Sequence, residues 1–304
     1  MRILVTGARG MLGSALLPRL EPGNQIIGVD FSDFDICDES AVRRSLVESR
    51  SDFVYHLAAY VDVDASESSP LRAEAINHLG TRHVARACAE IGAVLLYVST
   101  DYVFDGLQHQ PYREDDCPHP ISAYGLSKWR GEQHVQALVA RHIIVRSAWL
   151  YGLGRKNFVA TILKLAKEGS DLRVVTDQRG SPTYTGHLAS TLAQLSRVEA
   201  HGIYHATASG SCSWFEFAQA IVKARGYDQV RVIPITTWDC QRPARRPANS
   251  VLENHRLVQD GFGALPHWTT GLEQYLAAAP RGDEVGPSES DRRAHPQGSE
   301  VTGI

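Results

Sequence analysis

The chain has no apolar run approaching the roughly 18 residues that a membrane-spanning helix needs, so no such helix is expected. It has no basic excess either. Lys and Arg number 31 against 34 Asp and Glu, for a net charge of −3, which argues against electrostatic binding of nucleic acid. Cysteine is scarce. Cys37, Cys88, Cys117, Cys212 and Cys240 lie far apart with no Cys-x-x-Cys, which argues against a disulfide framework or a zinc site and fits reduced thiols in a cytoplasm. The N-terminus enters a strand at once, without the charged and apolar regions of a signal peptide. There is no internal repeat. The expectation is a cytoplasmic protein with neither membrane nor nucleic acid as a partner.

What is present is an ordinary globular composition. At 304 residues, with 43% hydrophobic and 21% charged residues, the chain can bury one large core or two smaller ones.

Ile3-Leu4-Val5 reads as a buried parallel strand. Gly7, Gly10 and Gly13 follow, and then a helix to Leu20. Glycines so placed allow a tight turn and close approach of a phosphate to a helix N-terminus. The spacing is Gly-x-x-Gly-x-x-Gly, and its place between a strand and a helix supports dinucleotide binding. A second strand ends at Asp30, seventeen residues after Gly13, where an acid takes ribose hydroxyls and favours NAD. Arg9, inside the turn, has the charge to meet a 2′-phosphate instead, so the choice between NADH and NADPH stays open. Asp38 is a candidate N-cap for a helix to Ser49. A third strand runs from Phe53 through Leu57, Ala58 and Ala59, where bulk would collide with a cofactor. Within it, His56 reads as a satisfied core histidine.

Strand, turn, helix, strand, helix, strand is the pattern of a doubly wound parallel α/β sheet. A helix over 71–91 contains Asn77, and a strand over 94–99 delivers Thr100 at its C-terminal end. A helix over 123–140 carries Tyr124 and Lys128, four residues apart and so on one face. A cation beside a phenol lowers its pKa and makes it a better proton donor. Another strand covers 143–146. Beyond about residue 150, helices are expected at 156–168, 184–198, 214–225 and 269–279, with strands near 172–175, 203–206 and 230–234. Ser213 and Glu216 form a capping-box pattern. From Pro280 the chain is almost without large apolar residues and reads as a disordered tail.

Glycine turn, strand-end Thr100 and Tyr124-x-x-x-Lys128 together resemble the extended short-chain dehydrogenase/reductase superfamily. Ala59–Glu67, Ser99–Gly106, Ser147–Gly152, Asp177–Thr183, Arg242-Pro243 and Arg246–Ser250 narrow the resemblance to the dTDP-4-dehydrorhamnose reductases, over about residues 1–278. Tyr102 stands where sugar-nucleotide dehydratases carry a glutamate, which argues against dehydration. The resemblance implies a Rossmann-type domain over 1–150, with later segments returning to it, and a smaller α/β substrate lobe over 151–279. It implies reduction of the C4 ketone of dTDP-4-dehydro-L-rhamnose by NADPH or NADH. Tyr124 is then the proton donor, Lys128 tunes it and holds the nicotinamide ribose, and Thr100 orients the keto oxygen. Gly7, Arg9, Gly10, Met11, Leu12, Gly13, Asp30, Asp35, Ile36, Leu57, Ala58 and Ala59 are implied to hold the cofactor. Val63, Asp64, Thr100, Asp101, Tyr102, Trp149 and Arg246 are implied to hold the dTDP-sugar, with Trp149 packed on the deoxyhexose. The basic run 242–247 has the geometry to pair with a pyrophosphate. Family members often bind magnesium through carboxylates at a dimer contact. No ligands for it are assignable here, and a homodimer stays open. Other readings are a reductase or epimerase of another nucleotide sugar, or an NADP-binding regulatory subunit like that of methionine adenosyltransferase.

Overall fold

A computed structural model describes residues 1–20 and 23–279; the tail expected from Pro280 lies outside them. Six strands make the central sheet: β1 (Arg2–Thr6), β2 (Gln25–Val29), β3 (Phe53–His56), β4 (Val94–Thr100), β5 (His142–Ser147) and β6 (Gly202–His205). Their spatial order is β6-β5-β4-β3-β1-β2, and every pair is parallel. Ile3, Leu4 and Val5 are wholly buried, as a strand covered on both faces requires. One face packs against α1 (Met11–Leu20), which turns Leu12, Leu16 and Leu20 inward at helical spacing. The other carries α2 (Glu39–Ser49), capped by Asp38 as expected. His56 is 1% exposed, bonded to Thr6 Oγ1 and Thr81 Oγ1, and stacked on Tyr97, so it is a satisfied core group.

Between β3 and β4 the chain forms α3 (Val63–Ser68), then a helical stretch from Pro70. The expected single helix over 71–91 contains a π-helical segment, Glu74–Gly80, before α4 (Thr81–Ile91). The widened turn lets Asn77 reach sideways. Its side chain bonds both backbone groups of Tyr60 and the Ser127 hydroxyl. Ser127 lies in α5 (Ala123–Leu138), whose start is fixed by the Ser122 side chain.

A separate apolar cluster is built from α6 (Phe158–Lys167), α8 (Trp214–Ala224) and α10 (Trp268–Ala278), with Tyr151, Val159, Ile162, Phe217 and Leu272 buried in it, whereas α7 (Thr185–Leu195) packs with α1 on the central sheet. The short helix α9 (Thr237–Cys240) stands beside it. Leu172–Val175 pairs in parallel with Val232–Ile235. The Ser213 capping box is formed in both directions. No helix among the described residues is long and apolar enough to cross a membrane.

Candidate active site

All six strands being parallel, their C-terminal ends lie along one sheet edge. The order reverses between β1 and β3, and that is where a doubly wound sheet opens a crevice for ligands. The glycine turn and Leu57-Ala58-Ala59 meet there. Gly7 has φ +69°, and a Cβ on it would lie 2.8 Å from Ala58 N. A Cβ on Gly13 would lie 2.3 Å from Gly7 O. Only glycine permits this close loop beneath a helix N-terminus, a backbone fit for a dinucleotide pyrophosphate. Gly10 and Met11 complete the turn into α1. Leu12 and Ile36 are buried in the core, and Asp35 bonds Cys37 N.

The ribose-side residues are arranged less simply than expected. Asp30 accepts from Arg9 N and Phe31 N, so its carboxylate braces the glycine turn. The Arg9 guanidinium bonds Ser32 Oγ at 2.5 Å and pairs with Asp33 at 3.4 Å.

At the end of β4, Thr100 is buried. Its hydroxyl donates to Asp101 Oδ1 at 3.0 Å and accepts from Tyr102 N, and it adjoins the Tyr124 phenol closely enough to lower its pKa. The Asp101 carboxyl is pushed up to about 7 by burial, with the neighbouring Ser250 and Thr100 hydroxyls acting to lower it. Its Oδ2 is buried without a hydrogen-bond partner. Burial pushes the Tyr124 phenol up to about 12, Thr100 pulls it back and Asp101 adds to the rise. Lys128 is 3% exposed. Its ammonium donates to Val98 O at 2.8 Å and sits 4.1 Å from the centre of the Tyr97 ring. Burial pulls it down to about 7, with Glu132 opposing. The Lys128 ammonium is thus directed at β4, and burial of the phenol dominates the Tyr124 pKa.

Tyr102 meets Tyr124 edge-on at 6.0 Å and opens onto a cavity of about 710 Å³. Phe158, Trp214, Trp238 and Gln178 form its apolar and amide walls, and Arg242, Arg245 and Arg246 its basic side. Asp64, in α3, pairs with Arg242 at 3.1 Å and Arg246 at 2.8 Å, and accepts from Ala244 N. Burial acts to raise its pKa, but these bonds hold the carboxyl below the usual range. Asp64 therefore anchors the arginine loop. Val63 is half-buried beside it.

The 177–183 motif explains itself structurally. Asp177 accepts from the Thr237 backbone and hydroxyl, and Gln178 donates to the same hydroxyl, which fixes α9. Gly180 leaves room for Trp149: a Cβ there would lie 2.3 Å from Trp149 Cε2. Trp149 itself has φ 49°, a left-handed conformation costing about 1–3 kcal/mol for such a residue. Its indole lies flat on Trp214, with centroids 3.5 Å apart and planes 5° from parallel. Trp214, Phe158 and Trp238 are missing from the site residues picked out by sequence, and Asn77 was named only as a residue of its helix. Trp214 was visible only as the residue after a cap, and nothing local marked the others.

Among the described residues, no group of three or more His, Cys, Asp or Glu is placed to hold a metal.

The model of the RmlD substrate binding domain matches residues 1–280. The chain belongs to that family. Among relatives of this RmlD-family chain, a dTDP-4-dehydrorhamnose reductase of Streptomyces griseus is 43% identical over 284 residues, covering 91% of this chain and 93% of the relative. A Streptomyces antibioticus protein named as a probable dTDP-4,6-dihydroxy-2-methyloxan-3-one 4-ketoreductase is 39% identical, covering 90% and 94%. The crystal structure of a dTDP-4-dehydrorhamnose reductase from Bacillus anthracis in complex with NADP superposes with a TM-score of 0.89 at 40% identity, covering 91% and 99%.

Proposed function

We propose that this chain is an NAD(P)H-dependent dTDP-4-dehydrorhamnose reductase, acting in deoxysugar biosynthesis. It reduces the C4 ketone of dTDP-4-dehydro-L-rhamnose to dTDP-L-rhamnose. The observation that carries this reading is the clustering of Thr100, Tyr102 and Tyr124 at the end of β4, with Tyr102 opening onto the arginine-lined cavity. Relatives about 40% identical over nine-tenths of the chain, named for that reaction, support it.

Bound NAD(P)H supplies the hydride. As negative charge develops on the C4 oxygen, Tyr124 gives it the phenolic proton. Burial raises the phenol's pKa to about 12, so it is protonated at neutral pH and gives up its proton only as negative charge develops on the C4 oxygen. Lys128, one turn along the same helix with its ammonium on Val98 O, is assigned the nicotinamide ribose. Thr100 adjoins the phenol and orients the keto oxygen, and Asp101 holds Thr100. Arg242, Arg245 and Arg246 take the diphosphate, since guanidinium forks fit phosphate oxygens. The aromatic walls take the apolar faces of base and sugar, with Trp149 against the deoxyhexose. Arg9, held on Ser32, is suited to a 2′-phosphate, and we assign NADPH as the preferred cofactor on that ground.

Tyr124→Phe should lower kcat by about 10²-fold or more, the usual worth of a positioned proton donor, while NADPH still binds. Unchanged turnover would refute the assignment. The Streptomyces antibioticus relative supports a second reading, a 4-keto reductase for another dTDP-deoxysugar. Competition between two keto-sugars for one enzyme sample separates them by their kcat/KM ratio.

A further inference from the structure

Trp214 is the first residue of α8, and the Ser213–Glu216 capping box fixes that first turn. Its indole therefore starts from an anchored backbone. Phe158 braces it at 4.5 Å with a tilt of 48°. Trp149 lies flat upon it, and Gly180 closes against the same Trp149 indole. The Trp149 backbone is in a region that a bulky residue rarely adopts, so packing against Trp214 and Gly180 sets where its ring points. Trp214 also lines the cavity that holds Arg246 and Tyr102. It thus touches both the nucleotide cavity and the indole assigned to the sugar.

We propose that Trp214 is a positioning residue for the reduction: it fixes the plane of the Trp149 indole, and through it the orientation of the sugar ring before Tyr124. This rests on the reading of Trp149 as the sugar's platform. A misplaced platform lowers turnover because the reacting atoms leave their near-attack geometry, and a shift of about 1 Å is worth up to about 10²-fold.

The test is a cycle on the full chain: wild type, W149A, W214A, the double variant, and W214F. Two indoles in face-to-face contact give an exciton couplet in circular dichroism. Wild type should show it, and W149A and W214A should each abolish it. W214A should lower kcat about ten-fold or more. W214F keeps a flat ring under Trp149 and should recover most of that loss. In the W149A background, W214A should cause no further loss, because its effect passes through Trp149. If W214A fails to fold, W214L takes its place in the same cycle. Absence of the couplet in wild type, or equal losses from W214A in both backgrounds, would overturn the proposal. Affinity for dTDP-rhamnose is measured across the same cycle, so a wild type that binds the nucleotide sugar and shows the couplet but turns over no keto-sugar would strike the reductase reading and leave the coupling still measured by binding.

Discussion

Arg146 and Glu132 form an ion pair at the centre of the fold. Arg146 Nε and Nη2 donate to the two Glu132 oxygens at 3.0 and 2.8 Å. The side chains are 2% and 1% exposed. The Phe104 ring lies 5.1 Å from the guanidinium carbon, and His205 Nε2 lies 3.4 Å from Nη1. Glu132 sits one turn after Lys128 in α5, and Arg146 pairs in register with Ser99 of β4. The pair therefore ties the Tyr124 helix to the strand that ends in Thr100. Glu132→Gln keeps the shape and removes the charge, leaving a guanidinium buried without compensation. Removing one partner of a buried pair costs about 3–5 kcal/mol. At about 2–4 °C per kcal/mol for a domain of this size, the melting midpoint should fall by roughly 6–20 °C. The assay is thermal and urea unfolding followed by circular dichroism. Replacing both partners, Glu132→Leu with Arg146→Met, should recover most of the loss, because a well-packed apolar pair avoids desolvating two charges. A midpoint for Glu132→Gln within about 2 °C of wild type would refute the reasoning.

Three other outcomes follow from particular contacts. His56 and His205 are buried neutral, burial holding each at about 3, with Arg146 adding to the effect on His205. The unfolded chain binds these protons below about 6.5 and the folded chain does not, so stability falls as pH drops from 6.5 toward 3; between pH 7.5 and 5 each histidine removes about 2 kcal/mol, and His56→Asn should flatten the dependence of the urea midpoint on pH. Gly180→Ala places a methyl 2.3 Å from the Trp149 ring and should lower kcat about ten-fold with NADPH affinity unchanged in a fluorescence titration. Arg9→Ala should raise the KM for NADPH about ten-fold, in line with loss of one charge-assisted contact, and leave that for NADH where it was.

The sheet and its glycine turn were legible because buried parallel strands leave unbroken apolar runs and because the turn after β1 has no room for a Cβ. Helix starts at Asp38 and Ser213 were legible for the same local reason, a cap followed by its partner amide. The π-helical segment around Asn77 was not, since side-chain spacing in a long helix does not reveal one widened turn. Helix α3, Val63–Ser68, hid among aspartates and serines that read equally as a loop. The Asp64–Arg246 pair spans 182 residues of sequence, and no local pattern announces it. Resemblance brought both residues to the substrate side, and geometry gives Asp64 the further task of anchoring the arginine loop. Trp214 was hidden by its own cap. The pattern Ser-Trp-Phe-Glu is complete as a helix start, and only the stack with Trp149 shows that its first ring faces the cavity.

The central claim is tested most directly by loss of nicotinamide absorbance with dTDP-4-keto-6-deoxyglucose and a 3,5-epimerase, NADPH and NADH in parallel, each with and without magnesium. The account predicts oxidation that requires the epimerase, runs faster with NADPH, and yields dTDP-L-rhamnose. Cofactor that binds but is not oxidised under any of these conditions would contradict it.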